Sequence, residues 1–423
     1  MTAPRRSLWH HRDFLRLWAG DSISQIGTAV SFIAMPLLAI KVLDASPFEV
    51  GLLTAFETAA FLLVGLPAGA WVDRVRRRNV LIVADIGRAA LLGSLPLAWY
   101  FDVLTLLQLY VVALLTGVLT VFFDVGYQSY LPSLVGRDHL VEGNAKLEAS
   151  RAVSQIAGPS VGGWLVQWLT APYAIVVDAL SYLWSAVWLG AISTREERPE
   201  RAPDRHLVRE IREGLSFVLR HPLLRAITAT TGTSNLFSTI LNTAFIVVLA
   251  DQAQLDLSAG TIGVVFTIGS VGGLLGAVVA EPVARRVGQG PTIWLSILVS
   301  APFALATPLV QGDWSLWMVA VCWAVIGFFV VIYNITQVSF RQGLCPERLL
   351  GRMNATIRFL VWGTMPLGGL IGGVLGSTIG VRATMWVGAI GMALAFLPAF
   401  LSPLRSMREL PTTYDVETAV RPG

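Results

Sequence analysis

Charge is scarce in this chain: Asp, Glu, Lys and Arg make up 14% of 423 residues, where water-soluble domains carry about 25%. A water-facing fold needs charge over its outside, so a surface this depleted faces lipid. Lysine is almost missing, with only Lys41 and Lys146. Neither follows a glycine as a phosphate-cradling nucleotide loop requires, which argues against ATP-driven work by this chain alone. The five histidines, His10, His11, His139, His206 and His221, all fall in segments predicted to be cytoplasmic. That argues against a metal centre or a His-based hydrolase within the membrane, and no cofactor is expected. Of the two cysteines, Cys322 lies in an apolar run and Cys345 in a basic loop, at different depths, so no disulfide is expected. The basic residues never gather on one face, so the net charge of +4 gives no reason to expect nucleic-acid binding. The first apolar run, from about Leu17, is too long for a signal-peptide core and has no clear cleavage site. It reads as a retained first span.

What is present is apolar length. Hydrophobic residues are 54% of the chain, and one spanning helix needs roughly 20. Twelve runs of about that length stand near 15–40, 48–72, 79–100, 103–126, 147–169, 173–192, 223–250, 259–281, 291–311, 314–340, 355–378 and 380–402. Turn residues separate several, as at Asp44 to Pro47, Thr170 to Pro172, Gln311 to Asp313 and Gly376 to Gly380. Arginine alternates between connections. Arg74, Arg76, Arg77 and Arg78 follow the second run, and later even-numbered connections are basic too, while the others hold only Lys41 and Arg382. The positive-inside rule then puts both termini in the cytoplasm, and Trp99, Trp168, Trp314 and Trp317 at the outer interface. Sparse Lys beside abundant Arg and Ala suggests a GC-rich bacterial genome, hence a bacterial cytoplasmic membrane.

The expected organisation is a six-helix half over 1–192, a linker over 193–222, a second six-helix half over 223–402 and a tail over 403–423. In the linker, Leu207, Ile211, Leu215 and Val218 share one helical face. That predicts an amphipathic helix on the cytoplasmic membrane surface; a disordered charged linker is the alternative. The halves echo each other. Gly69-Ala-Trp-Val-Asp73 followed by Arg77 and Arg78 ends the second run, and Ala277-Val-Val-Ala-Glu281 followed by Arg285 and Arg286 ends the eighth. Parallel repeats of this kind mark transporters whose halves rock about a central site.

The pattern Gly69-x-x-x-Asp73-Arg74-x-x-Arg77-Arg78-x-x-Leu81 resembles the loop signature of the major facilitator superfamily, departing at Trp71 and Arg76. Gly158-Pro159-x-x-Gly162-Gly163 resembles that superfamily's antiporter motif. The stretch from Phe122 to Pro132, with Asn144 to Glu148, resembles its drug-efflux branch, which includes macrolide pumps and the enterobactin exporter. The resemblance implies an all-α integral membrane protein of twelve transmembrane helices in two pseudo-symmetric halves. It also implies a monomer that moves a small molecule, and helices 1, 4, 7 and 10 lining the path.

Those four runs independently carry polar stripes at spacings of three and four. They are Asp21, Gln25 and Thr28; Thr116, Thr120, Asp124 and Tyr127; Thr231, Asn235, Ser238 and Asn242; and Asn334, Gln337 and Arg341. Polar groups in hydrocarbon are costly unless they face a cavity or another helix, so a wet cavity is expected; ordinary interhelical hydrogen bonding is the alternative. Glu57 lies within the second run with no basic residue near it in sequence, and is the first candidate to carry a proton. Asp124 and Asp178 come next, each against a plain structural role. Asp85 and Arg88, three apart, can pair on one face. With Asp73 and Arg77 they are expected to form an inner gate or a fixed bridge, and Glu148 with Arg151, and Arg358, read the same way. The glycines of the fifth run, 158, 162 and 163, permit close packing and, with Pro159, a kink.

The function expected is proton-coupled export of moderately hydrophobic small molecules. A siderophore or lipid exporter of the same fold is one alternative, and a membrane sensor or scaffold that transports nothing is another. No catalytic constellation suggests an enzyme.

Overall fold

The computed structural model describes residues 8–72, 75–136, 139–194, 196, 207–345 and 349–408. Among the described residues all regular structure is helical. The α-helices are α1 (Arg12–Val42), α2 (Pro47–Val72), α3 (Arg77–Tyr100), α4 (Leu106–Val135), α5 (Leu140–Leu169), α6 (Ala171–Gly190), α7 (Leu207–Arg220), α8 (Pro222–Ala250), α9 (Ala259–Val287), α10 (Gln289–Ala306), α11 (Trp314–Leu344), α12 (Leu350–Trp362), α13 (Thr364–Thr378), α14 (Val381–Leu394) and α15 (Leu397–Phe400). Eleven segments of the described residues are long and apolar enough to cross a membrane. They include Arg352–Thr378, broken at Gly363, and Val381–Phe400. Helix α5, 30 residues long, covers the run expected at 147–169 but is not among these eleven. Its first half carries Glu142, Lys146, Glu148 and Arg151, which lower its hydropathy without shortening the helix.

The helices outrun the apolar stretches. α4 continues past 126 to Val135, and α5 begins at Leu140, not 147. Hydropathy reports what lies in lipid, whereas backbone hydrogen bonding propagates through polar turns as well. Capping fixes several starts. Ser46 and Glu49 form a capping box before α2, with Ser46 N–H donating to Glu49 Oε2 at 2.7 Å. Thr105 Oγ1 accepts from Gln108 N–H at 3.3 Å, and Asp313 Oδ1 from Ser315 N–H at 2.9 Å. The six connections poor in basic residues each turn through one left-handed residue: Asp44, Asp102, Thr170, Asp256, Gly312 and Gly380. The repeat noticed in the basic connections therefore extends to the tight turns.

The described residues cluster into two compact units. The first takes its residues from Met1–Ala45, Leu63–Pro203 and Leu257–Thr267, the second from Ser46–Leu62, Asp204–Asp256 and Ile268–Gly423. In the second, glycine lets helices touch by their backbones. A Cβ on Gly272 of α9 would overlap the Ala324 carbonyl oxygen of α11, and one on Gly276 the Phe328 carbonyl oxygen. Helix α7 is amphipathic as expected, but part of its apolar face is occupied by protein. Val218 is fully buried in a cluster with Leu223, Met353 and Ile357, and Glu213 is ion-paired to Arg352 of α12. Of the stripe, Val218 is buried in this way, while Ile211 and Leu215 are half-buried.

At the elbow between α7 and α8, buried His221 caps α8, its Nδ1 accepting from Leu224 N–H at 3.5 Å. Burial pushes its pKa below the usual 6.5. A depressed folded-state pKa contributes stability that is full above the unfolded value and lost as pH falls. Melting temperature of the purified protein should therefore drop from about pH 7 to pH 5, around the unfolded His value of about 6.5. His221→Asn keeps a capping acceptor and should flatten that part of the slope; an unchanged slope would refute the assignment.

Gly272→Ala should lower stability by about 1–3 kcal/mol through overpacking, seen as a lower melting temperature in detergent. Gly65→Ala is the control, because a Cβ there meets nothing within 4 Å. Equal melting of the two variants would count against the backbone contact.

Candidate functional site

The most buried polar cluster lies in the first unit, where α1, α3, α4 and α6 meet. Asp85 and Arg88, one turn apart on α3, form an ion pair with side chains 0% and 4% exposed. The Arg88 guanidinium lies over the Phe123 ring at 4.4 Å and over the Tyr182 ring at 4.1 Å. Arginine suits this place because its planar cation stacks on aromatic faces while its edge donates to a carboxylate. Its Nη1 also reaches Thr120 Oγ1 at 3.5 Å. Tyr182 shares a 2.8 Å hydrogen bond with Thr28. Asp178, fully buried on α6, accepts from the Ser31 hydroxyl of α1 and from Ser181 Oγ at 3.1 Å. Gly27 makes room for this: a Cβ there would overlap Ser181 Oγ.

A second layer follows along α1. Asp21 is buried and accepts from Gln25 Nε2 at 3.4 Å. Tyr127 and Asp124 of α4 and Arg151 of α5 are its electrostatic neighbours, and the Tyr127 ring stacks on Phe123 at 5.9 Å. Thus three expected cavity residues of α1 and the α4 residues Thr120 and Tyr127 do converge, together with two of the three expected proton carriers.

Helix α5 joins this unit through its glycines. A Cβ on Gly158 would overlap the Ala29 side chain, and one on Gly162 would lie 2.9 Å from Val30 Cα. A Cβ on Gly163 would come within 3.0 Å of Gly263 Cα on α9. Next to Pro159 the Thr267 hydroxyl enters the helix ladder. It accepts from Ser160 N–H at 3.1 Å and donates to the Ile156 carbonyl at 2.9 Å. A side chain inserted into the ladder is one of the recognised causes of helix bending, as is the neighbouring Pro159.

The second unit holds the other stripes. On α8, Asn235, Ser238 and Asn242 are half-buried along the open face of a helix that is otherwise largely enclosed. Asn235 Nδ2 donates to the Val361 carbonyl at 3.3 Å, next to the break at Gly363. On α11, Gln337 is buried and Asn334 exposed, so spacing alone did not put them in one environment. Glu57 is half-buried on α2, and it makes no hydrogen bond or ion pair among the described residues. Phe61, one turn on, meets Trp362 edge-on at 4.4 Å, and the Arg358 guanidinium lies 4.7 Å over Trp362.

A long-helix fold with membrane-embedded acids and glycine-packed helices is matched by comparison with known proteins. The family model described as Major Facilitator Superfamily matches residues 17–359 and 231–419. The chain belongs to the Major Facilitator Superfamily. It is 28% identical over 91% of its length to 93% of the multidrug efflux pump Tap of Mycolicibacterium fortuitum. It is 24% identical over 96% of its length to 95% of the enterobactin exporter EntS of Citrobacter koseri. Among solved structures, the nucleoside transporter NupG superposes with a TM-score of 0.74 at 11% identity, covering 92% of this chain and 99% of that one. A bacterial homologue of the iron transporter ferroportin gives 0.71 at 17% identity, covering 93% and 98%. The protein is a multi-pass membrane transporter of small molecules, with the major facilitator fold, and not an enzyme.

The superfamily's loop signature can be followed in part. Gly69 falls near the end of α2, while Asp73 and Arg74 lie outside the described residues. Arg77 is 3.8 Å from Glu196. Arg78 donates its backbone N–H to Glu196 at 3.1 Å and its Nε to the Leu189 carbonyl at 2.9 Å. Neither Glu196 nor Asp13 is marked by any local pattern. Yet Asp13 accepts from Ser193 and Thr194 N–H at 3.1 and 2.8 Å, tying the start of α1 to the chain after α6. Their partners lie more than a hundred residues away, beyond the reach of periodicity. Glu148 and Arg151 are exposed on α5 and make no ion pair with each other among the described residues. Glu281 and Arg285 approach to 3.7 Å on an exposed face of α9, beside Arg286.

Removing one partner of a buried pair strands the other charge, at a cost of about 3–5 kcal/mol. Arg88→Leu should therefore lower the melting temperature strongly, and Asp85→Asn added to it should restore most of the loss. Arg88→Lys should recover only part, because an ammonium cannot stack between two rings. No recovery in the double variant would show that the pair is not the source of the cost.

Proposed function

We propose that this transporter exports moderately hydrophobic small molecules in exchange for protons, by alternating access of the halves 1–192 and 223–402 around a central path. The observation that carries this reading is a surplus of membrane-embedded acid. Asp85 and Arg88 neutralise each other, and Asp178 beside them is an additional fully buried carboxyl, whose hydrogen bonds among the described residues come from the Ser31 and Ser181 hydroxyls. Glu57 lacks a cationic partner among the described residues. An ionised carboxylate in such a place is costly. Taking up a proton on one side and releasing it on the other lets such groups be both buried and useful. Glu57 is the first carrier in this proposal, Asp178 the second and Asp124 the third.

The similarity to a multidrug efflux pump and an enterobactin exporter supports outward movement. The arginine-rich connections support cytoplasmic termini in a bacterial cytoplasmic membrane, and the family resemblance supports a monomer. The thirds of the path named from sequence, Asp21, Gln25 and Thr28 with Thr120 and Tyr127, then Asn235, Ser238 and Asn242, then Asn334 and Gln337, are proposed to line it.

In liposomes with an imposed pH gradient, the parent protein should move lipophilic test compounds against their gradient. Glu57→Gln should reduce gradient-driven movement about tenfold or more while downhill exchange persists, a loss of some 1.4 kcal/mol or above in coupling. Asp178→Asn is the second variant. Full coupling in both would remove these two carboxyls from the mechanism, and no movement of any compound by folded parent protein would favour a sensor that transports nothing.

A further inference from the structure

Several arginines have a counter-charge or a carbonyl: Arg88 has Asp85, Arg77 has Glu196, Arg352 has Glu213, and Arg382 donates to the Val310 carbonyl at 2.7 Å. Two in the second unit differ. Arg341 on α11 and Arg358 on α12 flank Phe340 and Ile357, which belong to one buried cluster, and their guanidinium groups are close enough to act on each other as like charges. Among the described residues neither has a carboxylate partner. Arg341 Nε is buried with no acceptor, and Arg358 is engaged by the Trp362 face. Two half-buried cations that act on each other are unfavourable unless an anion joins them.

The surroundings suit a particular anion. One turn before Arg341, Gln337 is 3% exposed and its Oε1 has no donor; one turn before Arg358, Asn354 Oδ1 is likewise buried and without one. An acid that also carries a hydroxyl or amide N–H would satisfy these acceptors while its oxygens take the guanidinium donors. Trp362 and Phe61, edge to face at 4.4 Å, add an aromatic wall, and Tyr333, on the Arg341 side of α11, is hydrogen-bonded to Thr231 of the α8 stripe.

We propose that Arg341 and Arg358 hold the acidic group of the cargo, whose aromatic body packs on Trp362 and Phe61, so that the substrates are amphiphilic organic acids. This deepens the exporter reading and rests on it for the ligand's being cargo; the binding itself needs no gradient. An acidic lipid headgroup offers the same charge, and the test separates the two.

The full-length protein in phosphatidylcholine nanodiscs would be titrated calorimetrically with 3-hydroxy-2-naphthoate, with its neutral methyl ester and with a naphthyl trimethylammonium. The acid should bind at least about tenfold more tightly than the ester. Arg341→Gln and Arg358→Gln should each weaken the acid by about 10- to 100-fold, the range for a lost hydrogen bond to a charged group, and leave the ester unchanged. The corresponding Lys variants should fall between, and they serve as folding controls alongside a melting curve. Equal affinity for acid and ester, or undiminished binding in both Gln variants, would overturn the proposal. So would an Arg-dependent stabilisation by phosphatidylglycerol that abolishes naphthoate binding. Because no pH gradient is applied, loss of proton coupling in Glu57→Gln would leave this result standing, and the converse also holds.

Discussion

A guanidinium in hydrocarbon must be neutralised and given somewhere to place its donors, and that demand organises the first unit around Arg88. Its carboxylate comes from α3 itself, one turn away. Its two aromatic faces come from α4 and α6, through Phe123 and Tyr182. Tyr182 is fixed in turn by Thr28 of α1, and α1 reaches back to Asp178 through Ser31. Four helices are held in register by one cation. The arrangement is satisfied enough to be stable and carries one acid more than it carries base. A purely structural bridge needs no such surplus.

Close helix contacts follow from a second rule. Between helices in lipid no water is released from apolar side chains, so association relies on backbone approach and on polar bonds. Gly158 and Gly162 against α1, and Gly163 against Gly263, meet that need without side chains in the way. The Thr267 hydroxyl within the α5 ladder does something glycine cannot, replacing a backbone bond that proline geometry weakens. A proline beside a side-chain hydrogen bond that can be broken and remade suits a helix to bending during a transport cycle, and that is a physical reason for a Gly-Pro motif to sit here.

Most of the fold was legible because its signals are local or periodic. Low charge, apolar run length and alternating arginine require no knowledge of which helix meets which. Of the α1 stripe, Asp21 has Tyr127 and Asp124 of α4 as neighbours and Thr28 is bonded to Tyr182 of α6. What stayed hidden depends on pairing across the chain. Glu196 holds Arg77 and Arg78, Asp13 holds Ser193 and Thr194, and Thr267 props α5; each is an ordinary residue until its distant partner is placed. Periodicity also assigns faces without saying what they meet. Asn334 shares a stripe with Gln337 yet is exposed, and part of the apolar face of α7, at Val218, packs in a cluster with Met353 and Ile357 of α12.

The two units also differ in the sign of their leftover charge: an acid surplus around Asp178 in one, a base surplus at Arg341 and Arg358 in the other. Under the proposed exchange, a proton cancels the first and an acidic cargo cancels the second. In each half-cycle one of the two is cancelled, by the proton on the inward step and by the cargo on the outward one, which lowers the desolvation cost of that conformational change. The direction is also favoured electrically. A proton moving inward and an anion moving outward each carry positive charge toward a negative interior, worth about 2.3 kcal/mol per elementary charge per 100 mV. An exchanger of this charge type therefore draws on the membrane potential twice in each cycle, even where the pH difference across the membrane is small.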